Sequence, residues 1–276
     1  MISDWTDAYA NTPHIPGGAD FPAYWSTQAA LFRTEMATGG RLRADIAYGS
    51  SERHRLDLFL PESQPRGLVV FVHGGFWVAF DKLTWSHWAE GAVRAGWAVA
   101  TPSYTLAPEA RISTITREIS QAINHAATLV QGPIRLAGHS AGGHLVTRMI
   151  CTDSPLNPQT LSRIAHVLSI SGLHDLRPLR RAAVNGKLRL DADEARHESP
   201  ALLDPISDIG VTCWVGSEER PEFIRQNKLL ANIWTGCGVK IRECQDSGRH
   251  HYDICASLSD ASSPLTHALT GDDGWA

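Results

Sequence analysis

The sequence contains short, strand-like runs that alternate with segments of helical periodicity, and one of these runs, residues 68–72, is uniformly apolar. Such a run is typical of a strand that is covered on both faces, as in a parallel sheet. The runs lie at residues 56–60, 68–72, 98–101, 134–137, 165–170, 211–215 and 239–244. Helical segments lie at 21–36, about 84–95, about 113–130 and 144–151. This alternation predicts βαβ units, hence an α/β fold with a mostly parallel central sheet and helices on both faces.

The chain is long enough to enclose one large core. Its 276 residues, 43% of them apolar, predict a single domain over residues 1–276. Two segments stand apart from the alternation: an N-terminal extension over 1–40 and an insertion over about 177–208. The insertion begins with arginines and continues with acidic residues. It is therefore either a small cap over the end of the sheet or a solvated helical excursion.

Charge and hydropathy exclude several kinds of partner. The formal net charge is −4, so no overall cationic field would attract nucleic acid or anionic lipid. No run approaches the roughly 20 apolar residues that span a bilayer. The first residues lack the basic start and apolar core of a signal peptide. We therefore expect a cytoplasmic protein, not bound to a membrane, that acts on a small molecule; a homodimer is left open by the sequence.

Residues 138–142 read Gly-His-Ser-Ala-Gly, a G-x-S-x-G pattern. The pattern directly follows the apolar run 134–137 and precedes the helical segment 144–151. Strand, tight turn and helix are the elements of a nucleophile elbow, which presents a serine hydroxyl above the sheet. The pattern therefore predicts Ser140 as the nucleophile of an α/β-hydrolase fold, with the positive end of a helix dipole behind it.

The apolar run 68–72 is followed by His-Gly-Gly-Phe-Trp at residues 73–77. In α/β-hydrolases an early strand followed by His-Gly-Gly supplies part of the oxyanion hole, because glycines let backbone amides turn towards the substrate oxygen. We assign the amides of Gly75 and Phe76 to this hole, with the amide of Ala141 opposite. His73 is expected to support the loop and not to act as a base.

The catalytic acid and histidine should follow the nucleophile in that order along the chain. The run 211–215 is followed by three candidate acids, Glu218, Glu219 and Glu222. Beyond the last apolar run lie two candidate bases, His250 and His251. An imidazole there would take the serine proton, and the carboxylate would fix its tautomer and stabilise the imidazolium. The residues alone leave both choices open.

Taken together, these motifs resemble the kynurenine formamidases (arylformamidases), which are serine α/β-hydrolases with an HGGxW signature. Residues 73–77 match that signature, 171–179 are similar to the segment after the sixth strand, 216–223 to the acid loop and 251–254 to the histidine loop. The resemblance covers about residues 55–258 and implies a triad of Ser140, Glu219 and His251. The family commonly has Asp where this chain has Glu219, and hormone-sensitive-lipase-like esterases typically have a third Gly where Phe76 stands.

The same resemblance implies hydrolysis of an aryl formamide such as N-formyl-kynurenine to formate and the free aromatic amine, through an acyl-enzyme on Ser140. Aromatic side chains suit a flat apolar pocket, and we expect Trp77 and Tyr104 to bind the substrate unless they pack in the core. The basic start of the insertion suggests the hypothesis that Arg180 or Arg181 meets a substrate carboxylate.

Other functions stay open on the sequence. One is a carboxylesterase or small-amide hydrolase of another metabolic pathway, built on the same scaffold. Another is a non-catalytic ligand-binding member of the fold, which would usually lack a triad residue. The sequence has no HExxH-like ligand spacing and no glycine-rich dinucleotide fingerprint after its first strand. We therefore expect neither a metal nor a cofactor.

Overall fold

The computed structural model describes residues 2–272 and 274. The strands are β1 Leu42–Ala47, β2 Arg55–Phe59, β3 Leu68–Val72, β4 Ala98–Pro102, β5 Ile134–His139, β6 Ile164–Ile170, β7 Gly210–Gly216 and β8 Ile241–Asp246. The α-helices are α1 Trp5–Tyr9, α2 Phe21–Thr38, α3 Glu90–Arg94, α4 Ile112–Leu129, α5 Ala141–Arg148, α6 Pro158–Leu161, α7 Asn185–Leu188, α8 Ala192–His197, α9 Pro221–Gly236 and α10 Pro264–Thr270. Short 3₁₀ helices lie at Thr12–His14, Ser86–Ala89, Pro178–Arg181, Pro200–Leu202 and Ala256–Ser259.

All eight strands form one sheet in the order β1-β2-β4-β3-β5-β6-β7-β8. The β1–β2 and β2–β4 pairs are antiparallel, and every later pair, from β3–β4 to β7–β8, is parallel. This confirms the predicted α/β fold with a mostly parallel sheet. The carboxyl ends of the central strands meet at one edge, where ligands bind in open α/β sheets. No helix within the described residues has the length and apolar character required to cross a membrane.

The sheet separates two apolar layers. Along β3, Val70 and Val72 belong to one buried cluster, whereas Val69 and Phe71 belong to the other. This follows from the alternation of side chains between the two faces of a strand. Helix α4 packs on the first face through apolar residues at helical spacing, and α2, α3 and α10 contribute to the second. The strand is buried on both sides, which is why its sequence is apolar throughout.

The N-terminal extension is part of the packed structure. Arg33 of α2 donates to the fully buried carboxylate of Asp57 on β2. The Lys82 ammonium lies 2.9 and 3.0 Å from the two oxygens of Asp57 and 2.7 Å from Asp45. Removing one partner of such a group leaves an uncompensated buried charge, which is strongly destabilising. The cluster therefore fixes α2 against the sheet.

The insertion over 177–208 folds into short helices that are bound to α4 and α5 by buried carboxylates. Glu194 accepts hydrogen bonds from the Arg111 guanidinium at 2.6 and 2.9 Å and from the Ser113 hydroxyl at 2.8 Å. Glu198 accepts from the Thr116 hydroxyl at 2.6 Å and from Arg148 at 3.2 Å. These contacts hold the insertion firmly on the body of the protein.

Candidate active site

Ser140 lies on a tight turn between β5 and α5. Its backbone has φ 55° and ψ −116°, a conformation that is costly for a residue with a Cβ atom. The surrounding strands hold the turn in place, because the Ser140 amide donates to the carbonyl of Ile170 at 2.8 Å. The structure therefore has the strand, strained turn and helix of a nucleophile elbow at the predicted position.

Close approach of α5 to the sheet explains the glycines of the motif. A Cβ atom on Gly142 would lie 1.9 Å from the carbonyl oxygen of Val72. A Cβ atom on Gly138 would lie 2.2 Å from the carbonyl oxygen of Gly142. Real Cβ atoms are not found at such distances from backbone, so only glycine allows the helix to start directly after Ser140.

The loops after β7 and β8 bring Glu219 and His251 together. The Nδ1 atom of His251 lies 2.7 Å from Oε2 of Glu219, and both side chains are buried. The other oxygen, Oε1, accepts hydrogen bonds from the Ser171 hydroxyl and from the Gly216 amide, the latter at 3.1 Å. The carboxylate is thus fully bonded, and its contact with Nδ1 leaves the Nε2 atom of His251 to act on a substrate.

The structure distinguishes the alternatives that the sequence leaves open. Glu218 is exposed, and Glu222 instead accepts hydrogen bonds from Tyr9 at 2.8 Å and from the Arg225 guanidinium at 2.7 Å. The Nδ1 atom of His250 faces Asp253 at 3.2 Å. Of the predicted acids and bases, Glu219 and His251 are the pair in mutual contact.

Ser140 and His251 line one cavity of about 270 Å³. Gly75 and Phe76 of the predicted oxyanion loop lie on the same wall. The remaining walls are mainly aromatic and come from α2, from the loop after β3, from the histidine loop and from the N-terminal segment. They include Trp25, Phe80, Trp85 and Tyr252. The cavity therefore combines the predicted nucleophile and the predicted base with an apolar, aromatic lining.

The oxyanion loop is held in an unusual backbone conformation. Gly75, Phe76 and Trp77 all have positive φ values, of 105°, 50° and 57°. A Cβ atom on Gly75 would lie 2.5 Å from the carbonyl oxygen of Ala79. Among the described residues no acceptor binds the amides of Gly75 and Phe76, and the amide of Ala141 is the first of helix α5, which has no intrahelical partner. These amides are available to a substrate oxygen.

The structure corrects two substrate-binding predictions. Trp77 is fully buried, and its ring packs edge-on against His144 at a centroid distance of 5.1 Å. Tyr104 is also fully buried; its ring stacks on His73 at 4.3 Å, and its hydroxyl donates to the His73 carbonyl at 3.1 Å. Neither side chain lines the cavity, because both rings pack in the core beneath the predicted oxyanion loop. Both residues support the loop.

His73 supports the loop as well, as expected. Its Nδ1 donates to the carbonyl of Gly74 at 2.8 Å, and burial lowers the pKa of its imidazole to about 4. The hypothesis for the arginines of the insertion does not fit the structure. The Arg181 guanidinium lies over the Trp5 ring at 5.6 Å, and neither Arg180 nor Arg181 lines the cavity.

Sequence reasoning missed several residues of the cavity wall. His139, the variable position of the G-x-S-x-G pattern, is buried with its ring centroid 4.6 Å from that of His251. Burial and the neighbouring His251 lower the pKa of His139 well below its ordinary value. The N-terminal segment also contributes to the cavity wall. In the sequence, the aromatic residues of the extension were the one indication of this role. Within the described residues, no group of three or more His, Cys, Asp or Glu side chains is arranged to hold a metal ion.

Comparison with known proteins places the chain in a family. The model of the α/β-hydrolase fold family matches residues 69–207, which include the oxyanion loop and Ser140. The chain belongs to this family, and it is a hydrolase. Over 236 residues it is 28% identical to the kynurenine formamidase of Danio rerio, covering 82% of this chain and 80% of that one. It is 27% identical to the kynurenine formamidase of Drosophila melanogaster over 240 residues, covering 81% and 79%.

A solved structure is similar over nearly the whole chain. It is the crystal structure of a protein from Silicibacter sp. TM1040 that is described as a candidate thioesterase. Its sequence is 47% identical to this chain, and the two structures superpose with a TM-score of 0.90. The alignment covers 98% of this chain and 99% of that one. The fold, including the N-terminal extension and the insertion, is therefore shared with a bacterial relative.

The packing of α5 against β3 generates a prediction for Gly142. We expect Gly142→Ala to lower the free energy of unfolding by more than about 3 kcal/mol, because the added methyl group must displace backbone. Urea denaturation followed by circular dichroism measures the change. The matched control is Gly186→Ala in α7, where no atom lies within 4 Å of the new Cβ. A Gly142→Ala protein as stable as the control would contradict this account of the elbow.

Proposed function

We propose that this chain hydrolyses an aryl formamide such as N-formyl-kynurenine, releasing formate and the free aromatic amine. The observation that carries the proposal is the Glu219–His251 pair, bonded at 2.7 Å, beside Ser140 in an aromatic cavity. Similarity to kynurenine formamidases over about four fifths of the chain supports the same substrate class. The proposed catalytic triad is Ser140, Glu219 and His251.

In the acylation half of the reaction, the Ser140 hydroxyl attacks the formyl carbon while Nε2 of His251 takes its proton. The carbonyl oxygen becomes an oxyanion, which accepts hydrogen bonds from the amides of Gly75, Phe76 and Ala141. The carbon–nitrogen bond then breaks, and the imidazolium returns its proton to the amine as it leaves. Ser140 now carries a formyl ester, and the amine nitrogen has gained the hydrogen of the serine.

Deacylation repeats the same steps with water. His251 removes a proton from a water molecule, the oxygen of which attacks the formyl ester, and the same amides hold the second oxyanion. Collapse expels the Ser140 oxygen, which recovers its proton from His251, and formate leaves. Glu219 stays ionised throughout and stabilises the imidazolium form of His251 in both halves.

The environment of Glu219 accounts for a glutamate at this position. Ser171 and Gly216 bind Oε1, so the longer side chain is held in one orientation with Oε2 directed at His251. The position of the Glu219 carboxylate therefore depends on two groups outside the proposed triad, the Ser171 hydroxyl and the Gly216 amide. A glutamate so restrained performs the role that aspartate commonly has in the resembling family.

The cavity suits a small acyl group and an aromatic leaving group. Its volume of about 270 Å³ and its lining by Trp25, Phe80, Trp85 and Tyr252 favour a flat ring. A formyl group needs little room on the side of the oxyanion loop. We also propose that the enzyme is cytoplasmic, because the thiols of Cys151, Cys213 and Cys255 are buried and free, as in a reducing compartment. A homodimer stays a prediction.

Hydrolysis of a small ester or thioester is the second candidate function. It is favoured by the 47% identity to a protein given as a candidate thioesterase. The steps at Ser140 and His251 would be the same, with an alcohol or thiol leaving in place of the amine. The two functions differ in the leaving group that the cavity accepts.

Substrate preference tests the proposal. We expect kcat/KM for N-formyl-kynurenine to exceed that for p-nitrophenyl acetate and for a short acyl thioester by at least about tenfold. Release of the amine and of nitrophenol is followed by absorbance, and thiol release by a colorimetric reagent. Efficient thioester or ester turnover without any formamide turnover would replace the proposed function with the second candidate.

The acid is tested by a pair of neighbouring variants. We expect Glu219→Gln to lower kcat by about 10²–10⁴-fold, because the uncharged amide no longer stabilises the imidazolium of His251. Glu218→Gln, at an exposed position one residue away, should keep the activity of the original enzyme. Steady-state kinetics on the better substrate measure both. Equal effects of the two substitutions would exclude Glu219 as the triad acid.

A further inference from the structure

The aromatic cavity of about 270 Å³ lies between two groups of rings. On one side the Trp25 ring lies 5.3 Å from that of Trp85 and 5.2 Å from that of Tyr252, measured between centroids. On the other side the Phe76 ring meets that of Tyr9 edge-on at 6.5 Å. The first group packs in the apolar layer of α2 and the second in the layer of α4. A flat ring of a substrate therefore finds aromatic surface on both sides.

The lining of this cavity offers no counter-ion to a charged substrate group. Among the described residues that line it there is no Lys, Arg, Asp or Glu. Of its two imidazoles, that of His251 faces Glu219 at 2.7 Å. Burial and the neighbouring His251 lower the pKa of His139, which disfavours the cationic form of that imidazole. Within the described lining, no cation is thus available to a substrate carboxylate.

Arginines on the neighbouring loops are bound by carboxylates of the chain itself. Arg220, in the acid loop, lies 2.5 Å from the carboxylate of Asp7 and donates to its carbonyl at 3.1 Å. Arg249, two residues before His251, faces the carboxylate of Asp253 at 3.6 Å. Either arginine would have to give up its present partner to meet a substrate carboxylate.

Such surroundings discriminate between leaving groups by their charge. A carboxylate that enters the cavity loses hydration without gaining a counter-ion, and this transfer is much more costly than that of an uncharged polar group. The faces of aromatic rings carry the negative part of the ring quadrupole, which is also unfavourable to an anion. An uncharged aromatic ring is stabilised by the same contacts, since they bury its apolar surface.

We propose that the preferred substrates are aryl formamides whose aromatic group carries no carboxylate. The inference rests on the proposed function and deepens it by defining the leaving group, an arylamine without an anionic substituent. N-formyl-kynurenine is then bound through its formamidophenyl ring, and its amino-acid carboxylate forms no ion pair with the enzyme. An analogue that keeps the ring and lacks the amino-acid group is an equal or better substrate.

A truncated formamide tests the proposal on the substrate class itself. N-(2-acetylphenyl)formamide has the formamide, ring and ketone of N-formyl-kynurenine and lacks its amino-acid group. We expect its kcat/KM to equal or exceed that of N-formyl-kynurenine, because the amino-acid carboxylate finds no partner in the cavity. Absorbance of the released amine measures both. A higher kcat/KM for N-formyl-kynurenine would overturn the proposal.

A matched pair of aryl esters tests charge discrimination independently of the formamide. The probes are 4-(carboxymethyl)phenyl acetate and 4-(carbamoylmethyl)phenyl acetate, which have nearly the same shape and differ by one negative charge. Each kcat/KM is divided by the rate constant of alkaline hydrolysis, which corrects for the reactivity of the ester. We expect the uncharged ester to be preferred at least about tenfold, since its amide loses less on leaving water. Equal values, or a preference for the carboxylate, would contradict the proposal.

Arg220 is the cation that could meet a carboxylate if it left Asp7, and Arg220→Gln tests this alternative. We expect the ratio of kcat/KM between the two esters to stay unchanged in this variant, as in the control Arg43→Gln at an exposed position on β1. A ratio cancels any general loss of activity or stability. A selective loss of activity on the carboxylate ester in Arg220→Gln alone would show that this arginine binds the carboxylate and would overturn the proposal.

The two substrate pairs also separate this inference from the proposed function. If neither formamide is hydrolysed and the uncharged ester is preferred, the formamide substrate is wrong and the preference for uncharged leaving groups stands. If N-formyl-kynurenine is hydrolysed faster than its truncated analogue, the proposed function stands and this inference is wrong.

Discussion

The close contact between helix α5 and strand β3 is the constraint on which the site depends. It places the carbonyl oxygen of Val72 where a Cβ atom of residue 142 would be, and it forces Ser140 into a strained conformation. Such strain persists only when the surrounding structure determines it, here through parallel strands on both sides of β5. A serine hydroxyl above the sheet and a free helix N-terminus beneath it are the consequences.

The proposed acid and base depend on a second set of contacts at the same edge of the sheet. Glu219 and His251 follow β7 and β8, which are parallel neighbours, so their loops emerge side by side. Ser171, which follows β6, completes the bonding of the Glu219 carboxylate. Three successive strand ends thus contribute to the bonding of one buried carboxyl group, which has a partner on each of its oxygens.

Those parts of the fold that are buried on both faces could be predicted from the sequence, because burial leaves a uniform apolar run. Strand β3 was predicted with its observed bounds, and the elbow followed from β5 and the glycines around Ser140. Strand β1 was missed because it is largely exposed and alternates apolar with charged residues, with a bulge between Arg43 and Ile46, so it leaves no continuous apolar run. The helix after Ser140 begins three residues earlier than predicted, since glycines lower helix propensity without preventing a helix.

The cavity wall was harder to predict than the proposed catalytic residues. Trp77 stands in the signature motif, yet its ring packs in the core, because a sequence gives the position of a side chain without its direction. The N-terminal segment that lines the cavity lies far from Ser140 along the chain, and its place follows from anchors such as the Tyr9–Glu222 bond, which no local pattern indicates.

We propose that the strained turn makes Ser140 a nucleophile served by His251 and Glu219. Covalent labelling with a fluorophosphonate, read by intact mass and by peptide mass spectrometry, tests it most directly. We expect one adduct per chain on the peptide that contains Ser140 and none in Ser140→Ala. An unlabelled chain, or an adduct on another residue that persists in Ser140→Ala, would contradict it.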